Sequence, residues 1–307
     1  MKFSIYQESR IGGRKSNQDR VAYCYSRDAL MMVVADGMGG HLHGEVAAQV
    51  TVQFMAEAFQ RTANPSLHDP AQFLIDAILA AHNAIVDYSR VRALAETPRT
   101  TCVAAIVQDG VASWAHVGDS RLYQVREGQV IARTKDHSRV QLLVDLGRLR
   151  EEAIAVHPDR NKIFNCLGQA TPPKVDITRN QVLRHGDTLL LCTDGFWGPL
   201  GSRTIGETLR GAEILQSVPQ LIDLAESRAG RDSDNVSVVA MSWAEEFADA
   251  QRGWISTVAM AATDHTARMT SAARTAAPES AGGGFLSDDE IEQAIEEIRN
   301  AIRKHSA

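Results

Sequence analysis

The order of hydrophobic and polar positions divides the chain into strands, helices and a polar tail. Short apolar runs bounded by turn residues predict β-strands. These strands are Leu30–Ala35, Cys102–Val107, Val111–Val117, Arg121–Val125, Thr188–Cys192 and Val236–Trp243. Helical periodicity predicts helices over about Gly44–Arg61, Pro70–Arg92 and Pro219–Arg228. Because strands and helices do not alternate regularly, the order favours an α+β layered fold over a doubly wound sheet.

The character of the sequence changes after Trp243. Residues 1–243 are compositionally even, which predicts one domain. Residues 244–284 are rich in Ala, Thr, Ser and Gly, a composition typical of a flexible linker. Residues 285–307 predict a short amphipathic helix, which begins with a capping box formed by Ser287 and Glu290. Its apolar stripe consists of Ile291, Ile295, Ile298 and Ile302.

This isoleucine stripe has two interpretations. Either the helix packs on its own domain, or it is a tethered docking element for a partner or a second copy. An isolated helix of this length is marginally stable in water, so it needs a surface to lie on. The length of the linker favours docking, as in helix-in-groove recognition.

Composition narrows the class of protein. A chain of 307 residues that is 44% apolar has ample material for a core and is not wholly disordered. Its net charge of −6 argues against a general binder of nucleic acid or of anionic membranes. We find no apolar run near the roughly 20 residues that a membrane span needs. Met1–Arg10 lacks the apolar segment of a signal peptide, so we expect a cytoplasmic protein.

The four cysteines exclude one enzyme mechanism. They are widely spaced, without a CxxC pair, and so predict neither a zinc site nor a disulfide framework. Thiol-based phosphatases need an Arg six positions after the nucleophilic Cys. The corresponding positions after Cys24, Cys102, Cys166 and Cys192 hold Leu30, Gln108, Pro172 and Gly198.

The candidate chemistry lies in aspartates at the ends of predicted strands. They are Asp19, Asp36, Asp119, Asp194 and Asp234. One Asp-Gly after a strand is ordinarily a turn. Several carboxylates gathered at one rim, however, would repel one another and would need protonation or cations.

Ligand chemistry indicates which cation this would be. Carboxylate and carbonyl oxygens suit Mg²⁺ or Mn²⁺, whereas Zn²⁺ usually recruits His or Cys. Asp19, Asp36, Asp194 and Asp234 together carry −4, which two divalent ions would balance. Two such ions about 3.5–4 Å apart can share a bridging hydroxide, a nucleophile at neutral pH. Arg14 offers a bidentate fork for a phosphate, although an isolated Arg is ordinarily a surface charge.

Seven short segments of the chain together carry a family resemblance. They are Arg14…Asn17-Gln18-Asp19, Ala35-Asp36-Gly37-Met38-Gly39-Gly40-His41…Gly44-Glu45, Arg99-Thr100-Thr101, His116-Val117-Gly118-Asp119-Ser120-Arg121, Lys135-Asp136-His137-Ser138, Cys192-Thr193-Asp194-Gly195 and Asp234-Asn235-Val236-Ser237. In this order they resemble the metal-dependent Ser/Thr protein phosphatases of the PPM family (protein phosphatase type 2C), in its bacterial form. The resemblance covers about residues 1–243. It implies a β-sandwich of two antiparallel sheets flanked by helix pairs, with metals at one end between the sheets.

The resemblance also implies a set of metal ligands. Asp36 would bridge two metals, and the carbonyl of Gly37 would bind one of them. Asp194 and Asp234 would complete the shell of the other metal. Asp19 would act from close by, partly through water.

Further roles follow from the same resemblance. Arg14 would hold the substrate phosphate. Asp119 would bind a third, weaker metal, with turn capping as its alternative role. The stretch Asp136–Gly168 resembles the variable flap beside the site.

The chain departs from the family pattern at several positions. Gln18 replaces a Glu of many members, and Gly198 replaces an Asp of some relatives, which argues against a tightly held third metal. Met38 stands where eukaryotic members have a His proposed as general acid. His41 is out of register with that position, so its role is more simply to cap or pack the following helix. The proton donor to the leaving group stays open, and metal-bound water is the simplest candidate.

The function implied is hydrolysis of phosphoserine and phosphothreonine in proteins by a metal-bridged hydroxide, in antagonism to a Ser/Thr kinase and without a phosphoenzyme. One alternative is a catalytically weak phosphoprotein-binding scaffold, which would be expected to lose ligand carboxylates. The other is a phosphatase switch that acts on an anti-sigma antagonist.

Overall fold

Two six-stranded antiparallel sheets pack against each other with helices on their outer faces. The structure is a computed structural model that describes residues 1–38, 43–244, 255–256 and 267–270. The first sheet has the order β12-β1-β10-β9-β6-β7, and the second has the order β11-β2-β3-β4-β5-β8. The α+β sandwich predicted from the sequence is confirmed.

The strands and helices have the following bounds. The strands are β1 (Lys2–Arg10), β2 (Asp19–Tyr25), β3 (Ala29–Asp36), β4 (Cys102–Gln108), β5 (Val111–Val117), β6 (Arg121–Arg126), β7 (Gln129–Arg133), β8 (Asp176–Val182), β9 (Thr188–Cys192), β10 (Val236–Ala244), β11 (Ile255–Ser256) and β12 (Ala267–Thr270). The helices are α1 (Gly44–Thr62), α2 (Pro70–Val91), α3 (Arg139–Asp145), α4 (Asp194–Thr208) and α5 (Ile214–Ala229). Short 3₁₀ turns lie at Glu151–Val156 and Gly230–Asp232.

The continuous apolar run in β3 is explained by burial on both faces of its sheet. Side chains alternate across a strand. Leu30 and Met32 therefore contact the other sheet, where they join Leu191 of β9 in the central core. Met31 and Val33 point the opposite way and pack among residues of α1 and α2. The half-polar alternation of a solvent-facing strand is absent from β3 because neither of its faces meets water.

The outer face of the first sheet is covered in the same way by α4 and α5. Leu190 of β9 and Val238 of β10 pack with Phe196 of α4 and Ile222 of α5. Each sheet thus has a helix pair on its outside and the other sheet on its inside, which gives four layers. Three apolar clusters result, one between each pair of adjacent layers.

The polar composition of several elements hid them from the hydrophobic pattern. The predicted strands and the first two helices are confirmed within a few residues. The pattern did not predict β1, β2, β7, β8, α3 or α4. The predicted start of α5 at Pro219 is wrong, because the helix begins at Ile214 and carries Pro219 inside it.

Two stretches of the predicted linker are strands in the structure. Ile255–Ser256 pairs with β2, and Ala267–Thr270 pairs with β1. The physical reason is that without these two stretches β1 and β2 would be edge strands, whose unpaired backbone groups accept another strand. The domain boundary at residue 243 stays a prediction. The isoleucine stripe Ile291–Ile302 lies outside the described residues.

The helices of the described part of the chain were also compared with what a bilayer requires. None of them combines the length and the apolar character needed to cross a membrane.

Candidate functional site

Two of the predicted site residues face each other at one end of the second sheet. Asp19 begins β2 and Asp36 ends β3, and the two antiparallel strands pair them directly. Antiparallel pairing places the start of one strand beside the end of its neighbour. Residues 17 positions apart in sequence therefore lie side by side. Gly37 follows Asp36, where a Cβ would lie 2.4 Å from the Gly44 carbonyl oxygen, so the close backbone approach requires glycine.

The first sheet supplies a second pair by the same rule. Asp194 comes two residues after the end of β9, and Asp234 two residues before the start of β10. These strands are antiparallel neighbours, with Val238 opposite Cys192. Asp194 and Asp234 therefore lie at the same end of the first sheet.

A hydroxyl connects the two sheets at this end. The Thr193 Oγ1 donates to Asp19 Oδ2 at 2.9 Å and accepts from the Ser237 backbone N–H at 3.1 Å. Thr193 thus links the Asp19 carboxylate of one sheet to the strand β10 of the other. Both pairs of aspartates consequently belong to one site.

The backbone of Asp36 is fixed from the neighbouring strand β4. The Asp36 N–H donates to Thr101 Oγ1 at 3.0 Å, and the Thr101 N–H donates back to the Asp36 carbonyl at 2.9 Å. The Thr100 hydroxyl donates to the same carbonyl at 2.8 Å. These contacts leave the carboxylate of Asp36 little freedom to move, because its main chain is held on both sides.

Asp119 joins this site from the crossing between the sheets. It lies between β5 of the second sheet and β6 of the first, and it is only 3% exposed. Its Oδ1 atom is buried and has no hydrogen-bond partner among the residues that the structure describes. The turn-capping alternative requires a bond from this side chain to nearby backbone; a backbone hydrogen bond does lower the pKa of Asp119, but Oδ1 makes no hydrogen bond within that part of the chain. A buried oxygen without a donor is costly unless something else neutralises it.

The electrostatics show how close the carboxylates are. Burial, and then the charges of Asp19, Asp194, Asp119 and Asp234, raise the pKa of Asp36 well above its ordinary value. Burial raises the pKa of Asp19 to about 7, with further contributions from Asp194 and Asp234. Burial and the Asp234 charge raise the pKa of Asp194 to about 6. Each group makes its neighbours harder to ionise, as expected for carboxylates that share a site.

Little positive charge within the described residues balances these groups. Arg14 Nη2 lies 2.5 Å from Asp234 Oδ2, while 54% of the Arg14 side chain is exposed. The Arg14 charge also lowers the pKa of Asp194, as does that of Arg160 in the flap. Arg14 therefore lies at the rim of the site, where its Nη2 contacts the Asp234 carboxylate and about half of its side chain is exposed to solvent.

The donor set fits a hard divalent cation. It consists of carboxylate oxygens, one of them buried with no hydrogen-bond partner among the described residues, beside a backbone that approaches closely at Gly37. Hard oxygen donors of this kind bind Mg²⁺ or Mn²⁺. A cation would also relieve the mutual repulsion that raises the carboxyl pKa values.

Sequence reasoning predicted the site's carboxylates but not the groups that hold them. The structure brings Asp19, Asp36, Asp119, Asp194 and Asp234 together, with Arg14 beside them. The supporting side chains Thr101, Thr193 and Trp197 were assigned no role. Thr101 and Thr193 lie inside the segments that carry the family resemblance, and Thr193 directly precedes Asp194. A threonine at the end of a strand is common, however, so its position alone did not predict a role.

The raised pKa values predict how pH acts on the metal-free protein. The Asp19 carboxyl has a folded-state pKa of about 7, above its ordinary value, so between pH 5 and 7 the folded chain holds a proton that the unfolded chain has lost. Its contribution to stability is therefore present at low pH and is lost as the pH rises through 7. In EDTA, we expect the free energy of unfolding of Asp19→Asn to rise by roughly 2 kcal/mol relative to that of the wild type as the pH increases from 5 to 7.5.

Urea unfolding of both proteins at each pH would measure this difference. His82 and His116 have pKa values lowered by burial, so they destabilise the fold at low pH in both proteins. This effect cancels in the difference between the two free energies of unfolding. Asp76→Asn, at an exposed position on α2, is the matched control and should show no pH-dependent gain. An Asp19→Asn difference that is flat across this pH range would contradict the shared-site electrostatics. Mn²⁺ should stabilise the wild type more at pH 7.5 than at pH 5, because cations bind ionised carboxylates.

Comparison with known proteins now identifies the family. A family model described as protein phosphatase 2C matches residues 6–233. The serine/threonine protein phosphatase PstP of Mycobacterium tuberculosis is 35% identical over 227 residues, which are 74% of this chain and 42% of PstP. This chain therefore spans less than half the length of PstP.

Solved structures agree with this match. The serine/threonine phosphatase of S. agalactiae superposes with a TM-score of 0.71 at 31% identity, covering 80% of this chain and all of that one (100%). The catalytic domain of PstP, in complex with two manganese ions, superposes with a TM-score of 0.65 at 32% identity, covering 80% of this chain and 100% of that one. The chain belongs to the protein phosphatase 2C family.

Proposed function

We propose that this protein is a metal-dependent phosphatase that hydrolyses phosphoserine and phosphothreonine in proteins. The observation that carries the proposal is the convergence of five aspartates, of which Asp19 and Asp119 are buried and the other three partly buried, next to the half-exposed side chain of Arg14. The relatives named as serine/threonine phosphatases support the substrate class.

The proposed cofactor is Mn²⁺ or Mg²⁺, two ions per site, held by Asp36, Gly37, Asp194 and Asp234, with Asp19 nearby. The two manganese ions in the PstP catalytic domain support this number. When bound, such ions activate water for attack on phosphorus and stabilise negative charge on the phosphate. Asp119, whose Oδ1 has no hydrogen-bond partner in the described part of the chain, is the proposed ligand of a weaker third ion.

Arg14 is the proposed binding group for the substrate phosphate. Its guanidinium lies at the rim, already within 2.5 Å of a site carboxylate, and an exposed edge is free to meet solvent. A planar fork of N–H donors matches the oxygens of a phosphate. Arg14 would thus fix the phosphate while the positioned charges of the site stabilise the transition state.

Removing a ligand carboxylate tests the proposed centre. We expect Asp36→Asn and Asp194→Asn each to lower kcat/KM for a phosphopeptide at least about 100-fold, because a ligand contributes several kcal/mol of charge stabilisation. The assay compares initial rates with Mn²⁺ and with EDTA. Asp76→Asn serves as the control and should retain full activity. Undiminished turnover by either ligand variant would refute the centre.

Replacing Arg14 tests phosphate binding separately from the cations. Arg14→Ala should raise KM about 10-fold or more with a smaller change in kcat, because it removes a contact made to bound substrate. Arg14→Lys keeps the positive charge but lacks the planar fork, so its KM should lie between those of the wild type and Arg14→Ala. Steady-state kinetics at saturating Mn²⁺ measures both constants. A collapsed kcat with unchanged KM would assign Arg14 to another step.

The alternative functions receive less support from the chain. A binding scaffold without catalysis does not explain why the whole set of site aspartates is present. A phosphatase acting on an anti-sigma antagonist needs the same site, so the site does not separate it from an antagonist of a Ser/Thr kinase. We propose the kinase antagonist, in the cytoplasm, where the four free cysteines would stay reduced. Phosphoproteomes of a deletion strain and its parent would reveal the substrates.

We also propose that the predicted C-terminal helix docks a partner through Ile291, Ile295, Ile298 and Ile302. The support is the spacing of these residues in the sequence, which places them on one helical face. A chain ending at Gly284 would remove this helix but keep residues 255–256 and 267–270, which pair with the sheets. We expect it to hydrolyse an aryl phosphate normally but to bind its partner phosphoprotein about 10-fold more weakly. Unchanged partner binding would refute docking.

A further inference from the structure

A cluster of two histidines and an aspartate lies beside the crossing that carries Asp119. His116 and His137 are buried and stack with ring centroids 4.7 Å apart and an interplanar angle of 18°. One nitrogen of each ring and an oxygen of Asp176 lie within 4.8 Å of one another. The spacing alone would suit a metal ion, so the protonation of the rings decides what the cluster does.

The hydrogen bonds of His137 determine which of its nitrogens carries the proton. Its Nδ1 accepts from the Gly118 backbone N–H at 3.1 Å and from the Asn165 amide at 2.7 Å. The orientation of that amide is set by the backbone of Lys174, because Asn165 Nδ2 donates to the Lys174 carbonyl and Oδ1 accepts from the Lys174 N–H. Two donors point at Nδ1, so the proton of the neutral ring is on Nε2.

The Nε2–H group faces Asp176 rather than an open ligand position. Nε2 lies 3.3 Å from Asp176 Oδ2, and the other oxygen of Asp176 lies 2.8 Å from Lys174 Nζ. Nε2 makes no hydrogen bond within the described residues, so its contact with Asp176 is chiefly electrostatic. Burial raises the pKa of Asp176, but Lys174 and His137 outweigh it and the pKa is lowered. Because Nδ1 carries no proton, a metal ion on Nε2 would have to displace the remaining proton of the ring and leave an imidazolate. This argues against a metal site here.

What His137 holds is the residue before Asp119. The His137 N–H donates to the Gly118 carbonyl at 2.9 Å, so His137 binds both polar backbone groups of Gly118. Gly118 has a φ of +103°, and a Cβ on it would lie 2.6 Å from Thr101 Cγ2. Gly118 is therefore enclosed between His137 on one side and Thr101, which binds the backbone of Asp36, on the other.

Asp119 itself is held from the opposite direction. Trp197 Nε1 donates to the Asp119 carbonyl at 3.0 Å, and the guanidinium of Arg121 stacks 3.4 Å from the Trp197 ring centroid. The main chain at Asp119 is thus fixed by Trp197, and the main chain before it by His137. Without the bonds from His137, Gly118 would have wide conformational freedom, since glycine adopts positive φ without a steric requirement.

We propose that His137, in its Nε2–H form, is a positioning residue that sets Asp119, and through Thr101 also Asp36, in the geometry that binds cations. It does this by accepting the Gly118 N–H, while Asp176 holds the ring. The proposal rests on the proposed function of the aspartate centre. His137 acts through Gly118 and Thr101 and not on the substrate.

A pair of substitutions separates the two nitrogens of the ring. In His137→Asn the side-chain oxygen takes the place of Nδ1 and can still accept from Gly118. In His137→Gln the polar atoms lie near Nε2, so that the acceptor for Gly118 is lost. We expect His137→Asn to bind Mn²⁺ within about threefold of the wild type, and His137→Gln to bind it about 10- to 100-fold more weakly, the usual effect of removing a residue that orients a ligand. At saturating Mn²⁺, KM for an aryl phosphate should be unchanged in both, because Arg14 is untouched.

Calorimetric titration of each full-length protein with Mn²⁺ measures these affinities without relying on turnover. The matched control is His82→Gln, because buried His82 accepts the Gly168 N–H through its Nδ1 at 3.2 Å in the same manner, on α2. It should lose stability but keep its affinity for Mn²⁺. Equal loss of affinity in His82→Gln and His137→Gln, or in His137→Asn and His137→Gln, would overturn the proposal.

NMR of the metal-free protein with ¹⁵N-labelled histidine gives an independent test, since it identifies the protonated nitrogen of His137. A proton on Nε2 supports the proposal, and a proton on Nδ1 overturns it. If the wild type binds Mn²⁺ but does not hydrolyse phosphoproteins, the proposed function fails while the role of His137 is still decided by the titrations. If the wild type binds no Mn²⁺, both fail.

Discussion

The mutual repulsion of buried carboxylates is the constraint on which the rest of this structure depends. Asp19, Asp36, Asp119 and Asp194 all have pKa values raised by burial and by one another. Such an arrangement opposes folding of the metal-free chain at neutral pH, because ionising each group costs free energy. The surrounding framework opposes this repulsion: Thr101 holds the main chain of Asp36, Trp197 holds the main chain of Asp119, and the Thr193 hydroxyl donates to the carboxylate of Asp19. The stability of the four-layer core therefore supports a site that would not assemble by itself.

The topology explains how distant residues reach one place. In an antiparallel sheet, the end of one strand lies beside the start of its neighbour, so each sheet places a pair of aspartates at one end of its strands. Packing the two sheets with these ends on the same side brings the pairs together, and the crossing from β5 to β6 adds Asp119. Strand order and sheet packing are therefore sufficient to bring these negative charges together.

This also shows what could be predicted from the sequence and what could not. β3 and β9 are buried on both faces, so their uninterrupted apolar runs identified them, and the aspartates that end or follow them could be read directly. β1 was missed because its buried positions include the polar Gln7 and Glu8, one on each face, and Arg10 binds Glu8 together with Asp223 and Glu226 of α5. Arg10 pairs locally with Glu8, but its other two partners lie more than 200 residues along the chain, which no local pattern reveals. α4 was missed because Pro199 and Gly201 interrupt it.

Two arginines lie near the site and yet leave it negatively charged. Arg121 is buried close to Asp119, but both oxygens of Asp136 accept from its guanidinium at 2.7 and 2.8 Å, and Tyr123 and Trp197 occupy its other sides. Its charge is therefore already neutralised by Asp136, and it positions the Trp197 ring that binds Asp119. Arg14 differs because it is half-exposed and, among the residues that the structure describes, forms an ion pair with Asp234 only. In the proposed function, Arg14 would give up Asp234 where a cation is held by the same carboxylate, and its guanidinium would then be available to an incoming phosphate. A fully buried arginine, held by a bidentate partner as Arg121 is, could not make that exchange.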